Sequence, residues 1–272
     1  HLKDIVKDRK WGKFLLKRFI RIYPIYWIIC SITLITYLLF THGYIRSLDM
    51  QLNASRIPYL IKSYFLIPDD IPFFIRVAWT LTYEIIFYFV FALFILVGFK
   101  KSCYLYFTWI LRIVINQAVF NQPIMLLNPR IVEFLIGCMA GYLIATQKPF
   151  YYLLGFAIFM PIDSIYITVT IMGVIVYFLA KANLSSKNLK VPLLIGDASY
   201  SIYLTHIFFM SIFFRGLVKF GNLYTAIIIF LGVIFCGVLV HLFVEKPTLN
   251  FLNNRLLKKG NLKTTQAVKI VS

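Results

Sequence analysis

Acidic side chains are scarce in this sequence. Ten Asp and Glu stand against 28 Lys and Arg, a formal net charge of +18. Such a balance can mark a nucleic-acid binder, but that reading needs a solvated basic face on a soluble fold. Here the cations mostly collect between apolar runs, a pattern that suits anionic lipid and the orientation of membrane spans. Nucleic acid is therefore not expected as a partner. Cysteine is sparse too: Cys30, Cys103, Cys138 and Cys236 lie far apart, within or beside apolar segments. Without a CxxC or CxxH spacing they argue against a metal site or a disulfide framework, and they read as small core residues. GxSxG, HExxH and P-loop motifs are all missing. So are internal repeats and low-complexity linkers.

What the chain has in excess is oil. It is 61% hydrophobic and 18% aromatic, with 27 Phe and 18 Tyr, and its mean hydropathy is +0.82. Soluble domains sit nearer half apolar, so the excess points to a membrane protein. Its 272 residues are better counted in spans of about 20 residues than in soluble domains. Apolar runs recur at about 23–41, 77–99, 103–120, 131–147, 149–162, 164–181, 196–214 and 223–244. The expected fold is all-α, a polytopic transmembrane helix bundle of about eight spans. The 149–162 run is the weakest, since about 17 residues is the usual floor.

Loop charges orient these spans. With the N-terminus cytoplasmic and one crossing per run, twenty Lys and Arg fall inside and seven outside, with Arg112 left within a run. Both termini are therefore expected in the cytoplasm. Residues 42–76 become the one long outer loop, either folded over a cavity or a solvated connection. The first twenty residues are charged and do not read as a signal peptide. Starting at His1, the chain is expected to be the interior of a longer protein or a truncated one.

Ionisable groups within spans are costly, by roughly 2.5–3.5 kcal/mol for a central charge, so each needs a partner or a role. Four stretches stand out. In KRFIRIYPIYW, residues 17–27, Arg18 and Arg21 share a helical face at the mouth of the first span. Two guanidiniums so placed can grip phosphates bidentately, or anchor the span beside a belt of Tyr23, Tyr26 and Trp27. In AWTLTYEIIFYFVF, residues 78–91, Glu84 is flanked by Trp79, Tyr83 and Tyr88. Its carboxylate could bind a cation, accept a hydroxyl or act as a base, or form a buried ion pair with Arg112. In NPRIVEFLIGCMAGYLIA, residues 128–145, Glu133 shares a face with Gly137 and Gly141, whose GxxxG spacing suits close helix packing. In IGDASYSIYLTHIFF, residues 195–209, Ser199, Tyr203 and His206 form a polar stripe. His206 could move protons or be a satisfied core histidine. His241, near the end of the last run, reads as interfacial.

Taken in order, these stretches resemble a known family. KRFIRIYPIYW resembles the RRxxRIxPxYW signature of membrane acyltransferase family 3, a group of bacterial O-acyltransferases. AWTLTYEIIFYFVF is similar to its WSLxxExxFY segment, NPRIVEFLIGCMAG to its EFxxG helix, and IGDASYSIYLTHIFF to its LGxxSYxIYLxH helix. HLFVEKPTLNFLN resembles its closing ExP segment. Order and spacing agree from residue 11 to about 255.

The resemblance implies about ten core transmembrane helices and an acyltransferase-like domain over residues 1–255, followed by a basic cytoplasmic tail over 256–272. It implies transfer of an acyl group, often acetyl, from cytoplasmic acyl-CoA as co-substrate to a carbohydrate hydroxyl. Acceptors of the family are lipopolysaccharide, capsule or exopolysaccharide sugars, free or lipid-linked, and the setting is the bacterial inner membrane. No cofactor or metal is implied. By this likeness Arg18 and Arg21 engage the donor, and Glu84 and His206 are the catalytic candidates. Trp79, Tyr83, Tyr88, Glu133, Ser199 and Tyr203 are expected to line the acceptor cavity. Lys17 replaces the family's usual first arginine. The family's first helix, with its catalytic histidine, and its second helix have no counterpart here, so little or no turnover is expected of this chain. The alternatives are a transporter or flippase-like protein using Glu84, Arg112 and Glu133 as an ion path, and a degenerate inactive product.

Overall fold

A computed structural model describes residues 11–42, 44–45, 50–68, 71–153, 164–182, 190–217 and 223–258. Within them the chain is helical, apart from a two-residue antiparallel pairing of β1 (Tyr44–Ile45) with β2 (Met50–Gln51). The main elements are α1 (Trp11–Thr41), α2 (Ile57–Tyr64), α3 (Trp79–Val97), α4 (Phe99–Ile115) and α5 (Ile131–Ala145). After these come α6 (Ser164–Lys181), α7 (Lys190–Asp197), α8 (Ser199–Leu217), α9 (Leu223–Val240) and α10 (Lys246–Leu252).

Three helical stretches are long and apolar enough to cross a membrane: Trp11–Phe40, Arg76–Val97 and Tyr224–Leu256. A fourth crossing results if α7 and α8, bent by 70° at their junction, are counted together. Tyr104–Phe120, Ile131–Ala145 and Ile167–Lys181 are shorter apolar helices. Seven of the eight expected runs are therefore helices, though not all are of spanning length, and most of the 149–162 run lies outside the described residues. At 31 residues α1 is about 46 Å long, well beyond a hydrocarbon core of about 30 Å. Its surplus is the N-terminal part, which carries Lys13, Lys17, Arg18 and Arg21.

The chain divides into two compact units, one of His1–Leu15 with Tyr83–Ser186, the other of Leu16–Thr82 with Lys187–Ser272. In the first, α3 to α6 enclose an apolar core in which Ile113, Ile131, Leu135 and Ala140 are fully buried. Tyr106 donates to the Leu135 carbonyl at 2.8 Å and Trp109 to that of Leu126 at 2.7 Å, tying α4 to α5 and to the loop before it. Close packing comes from Gly173 on α6, where a Cβ would lie 2.6 Å from Ile136 Cγ2. The GxxxG reading of Gly137 and Gly141 is corrected here: a Cβ at either meets nothing within 4 Å.

In the second unit α8 and α9 run antiparallel, in contact along their length. Gly237 permits the approach, since its Cβ would fall 2.5 Å from Ile202 Cγ1 and 2.8 Å from Ile202 Cα. Residues 57–66 pack against α1 instead of forming a solvated connection. They turn back along α1, level with residues 23–31. Tyr26 lies fifteen residues before Thr41, or about 22 Å along the helix.

The end of α2 shows how such a segment is tolerated beside an apolar stretch. Carbonyls at a helix C-terminus lack intrahelical partners, and in lipid each must be satisfied by protein. Here Lys62 O accepts from Ile67 N and Ser63 O from Leu66 N, the pattern of a Schellman cap. Leu66 takes the left-handed position, φ 56°. Tyr26 also donates to Ser63 O at 2.6 Å, Trp27 to Tyr64 O at 2.9 Å, and Tyr23 to Phe65 O at 3.3 Å. The aromatics of KRFIRIYPIYW are thus hydrogen-bond donors to a returning segment.

Candidate functional site

The functional candidates fall into the two units. In the first, Glu84 sits one turn into α3, half-buried, and accepts a short hydrogen bond from the Tyr88 hydroxyl. Tyr83 and Tyr88 pack against the α3–α6 core. Arg112 is exposed on α4 and makes no ion pair with Glu84 among the described residues. Glu133 is exposed on α5 and lines a shallow groove of about 330 Å³ with Gly137, Thr168 and Gly173. The three charges thus form no continuous polar path there.

In the second unit, Arg18 is half-buried and Arg21 exposed on the basic end of α1. One residue beyond, the Ile22 carbonyl accepts from the Tyr200 hydroxyl at 2.8 Å. This bond brings the first turn of α8 against the arginine-bearing turn of α1. Beside Tyr200, the fully buried Ser201 donates to Glu245 Oε2 at 2.7 Å. The same oxygen lies 2.8 Å from His241 Nδ1. His241 and Glu245 bound a π-helical turn that interrupts the helix after α9. His241 is 8% and Glu245 3% exposed, so the pair is buried among protein atoms.

One turn along α8, Tyr203 donates to the Val77 carbonyl at 2.6 Å and makes a short hydrogen bond with Thr80 Oγ1. Trp79, at the start of α3, is 39% exposed. His206 Nδ1 faces the Tyr203 carbonyl at 2.6 Å. A carbonyl can only accept, so Nδ1 is the donor in this contact, and in the neutral imidazole the lone pair is on Nε2. His206 lines an apolar groove of about 610 Å³ between α8 and α9, with Met210, Ile229 and Val233 among its walls. Ser199 is exposed and stands apart from the buried polar contacts of α8. Those contacts are made instead by Ser201 and Thr205, the latter donating to the Ser201 carbonyl at 2.7 Å.

The structure therefore sets Tyr203 against the start of α3, His206 in the groove between α8 and α9, and Ser201 with Glu245 and His241. Ser201, Thr80 and Glu245 are absent from the sequence-based candidates. Two signals pointed to Glu245: the ExP resemblance of Glu245-Lys246-Pro247, and the HLFVE spacing, which sets His241 and Glu245 four residues apart on a helix. No group of three His, Cys, Asp or Glu among the described residues could hold a metal ion.

A helical, multi-pass membrane protein with polar groups held inside its bundle is the class these features define. The chain belongs to the acyltransferase-domain family, which matches residues 4–242. It is an acyltransferase by that membership. A relative is the exopolysaccharide production protein ExoZ of Rhizobium meliloti (strain 1021), 28% identical over 286 residues, covering 90% of this chain and 84% of that protein. No solved structure matches.

Proposed function

We propose that this protein moves an acyl group, acetyl foremost, from cytoplasmic acyl-CoA to a carbohydrate hydroxyl of a cell-surface glycan. Its place is the bacterial inner membrane, with both termini cytoplasmic. The observation that carries this reading is the family match over residues 4–242, which spans every polar contact described above except those made by Glu245. The ExoZ relative, named for exopolysaccharide production, supports a glycan acceptor.

In this reading Arg18 and Arg21 hold the donor's phosphates, because guanidiniums one turn apart match phosphate oxygens bidentately. The acceptor oxygen attacks the thioester carbon, the carbon–sulfur bond breaks, and the thiolate leaves to take up a proton. A base must remove the acceptor's proton. His206, through Nε2 in its neutral form, and the Glu84 carboxylate are the candidates in this chain. Trp79, Tyr83, Tyr88, Glu133, Ser199 and Tyr203 are proposed to line the acceptor side. A transporter reading gains nothing from Glu84, Arg112 and Glu133, which do not connect among the described residues.

The test is donor binding and transfer in membranes holding the chain. Radiolabelled acetyl-CoA should bind, and Arg18→Gln with Arg21→Gln should weaken binding at least tenfold, the loss of one charge-assisted contact of about 1.5–3 kcal/mol or more. Membrane insertion should be unchanged. Added bacterial exopolysaccharide should take up label slowly at most, with one CoA thiol released per acyl group transferred. Binding no greater than that of empty membranes would overturn the proposal.

A further inference from the structure

Among the described residues Glu245 is the one buried carboxylate, and it lies at the end of the molecule where α1 carries its arginines. Burying a charge is costly, and a well-packed apolar side chain commonly stabilises a fold as much or more. A purely structural contact between helices therefore does not require a carboxylate. What a carboxylate adds is direction: one oxygen, Oε2, accepts from Ser201 at 2.7 Å and lies 2.8 Å from His241 Nδ1. Both arms end on a carboxylate oxygen and are short, as hydrogen bonds to a charged acceptor are. The π-helical turn His241–Glu245 sets the imidazole and the carboxylate on one face of the helix. Such turns interrupt α-helices at functional sites more often than elsewhere. From Ser201 the chain of contacts passes to its neighbour Tyr200, whose hydroxyl holds the Ile22 carbonyl at 2.8 Å, and Ile22 follows Arg21.

We propose that Glu245 is a positioning residue for donor binding. By bridging Ser201 and His241 it fixes the first turn of α8, and through Tyr200 it sets the turn of α1 that presents Arg18 and Arg21. The role rests on the proposed function, in which that arginine pair grips the donor. Glu245 itself touches no donor. It sets the orientation of the α1 turn and leaves the arginines' charge unaltered.

The experiment has two independent readouts on the full chain in nanodiscs. The first is the distance distribution between spin labels on Phe19→Cys and Ser199→Cys, both at exposed positions, in a background free of the natural cysteines. The second is the affinity for CoA. Glu245→Gln keeps the shape and loses the charge, and should broaden the distribution and weaken CoA binding roughly tenfold, the scale of one charge-assisted hydrogen bond. Glu245→Asp, which keeps a carboxylate on a shorter stem, should recover part of both. Ser201→Ala and His241→Gln each remove one arm and should give intermediate values, which covers the case of a Glu245 variant that fails to fold. An unchanged, narrow distribution in all the folded variants overturns the positioning role whatever the binding data show. Broadening with CoA affinity unchanged overturns the link to the donor. A wild-type chain that binds no CoA overturns the proposed function, and is read separately from the distances.

Discussion

Replacing Gly237 by alanine tests how α8 and α9 are held together. The added Cβ would lie 2.5 Å from Ile202 Cγ1, 3.1 Å from its Cβ and 2.8 Å from its Cα. A rotamer change can move Cγ1, but not the backbone Cα. Carbon atoms rest at about 3.5–4.0 Å, so the two helices must part by roughly 1 Å at this level. Overpacking of that kind costs about 1–3 kcal/mol. Ile202 is also next to Ser201, so the same displacement stretches the 2.7 Å bond to Glu245, whose loss is worth about 1.5–3 kcal/mol. Alanine's better helix propensity returns about 1 kcal/mol. The expected net loss is about 1.5–5 kcal/mol, shared between the backbone clash and the stretched bond. Gly137→Ala and Gly141→Ala meet no atom within 4 Å and should be neutral or stabilise by up to about 1 kcal/mol. Reversible unfolding in mixed detergent micelles reads all three. A Gly237→Ala protein within 0.5 kcal/mol of wild type, or a Gly137→Ala protein that loses as much as Gly237→Ala, would refute the reasoning.

Trp27→Phe leaves the Tyr64 carbonyl without its donor beside an apolar stretch and should cost about 1–3 kcal/mol by the same unfolding measurement. Asn116→Ala removes the side chain that clamps Gln122 through two hydrogen bonds, and should destabilise the α4 end of the first unit by a comparable amount, seen as faster amide exchange at residues 116–122. His206→Asn should lower acceptor-dependent release of CoA thiol roughly a hundredfold or more if His206 is the base, with CoA affinity unchanged. Equal turnover in the variant would leave Glu84 as the candidate base in this chain.

Apolar periodicity made the helices legible, because a run of apolar residues bounded by charge has few other uses. α3, α6, α8 and α9 lie within a few residues of the runs that announced them. Segment 57–66 was not legible: Lys62 and the prolines at 58, 68 and 72 read as a loop. The property that returns it to α1 is a set of carbonyls, which a sequence of side chains does not display. Burial was equally hidden. Ser199 and Ser201 are alike in composition and two residues apart, yet one is exposed and the other fully buried, because only Ser201 faces the turn that carries Glu245. Gly137 and Gly141 have the spacing of a packing seam, whereas Gly173 and Gly237 do the packing. Spacing describes one helix, and a seam needs the shape of two.

These contacts change how substitutions in residues 17–27 should be interpreted. The stretch carries two kinds of chemistry on one helix. Arg18 and Arg21 offer charge at its basic end, while Tyr23, Tyr26 and Trp27 hold the carbonyls that end α2. A loss of activity on deleting or scrambling the stretch would not separate them. Paired substitutions do. Arg18→Gln with Arg21→Gln should weaken CoA binding and lower the unfolding free energy by no more than about 1 kcal/mol, since Arg21 is exposed and Arg18 only half-buried. Tyr26→Phe with Trp27→Phe should do the reverse, lowering stability by several kcal/mol at most with CoA affinity unchanged in the folded fraction. If both pairs moved both quantities together, donor binding and the α2 contact would be a single structural event. The arginines would then have to be assigned to the anchoring of α1 and not to the donor.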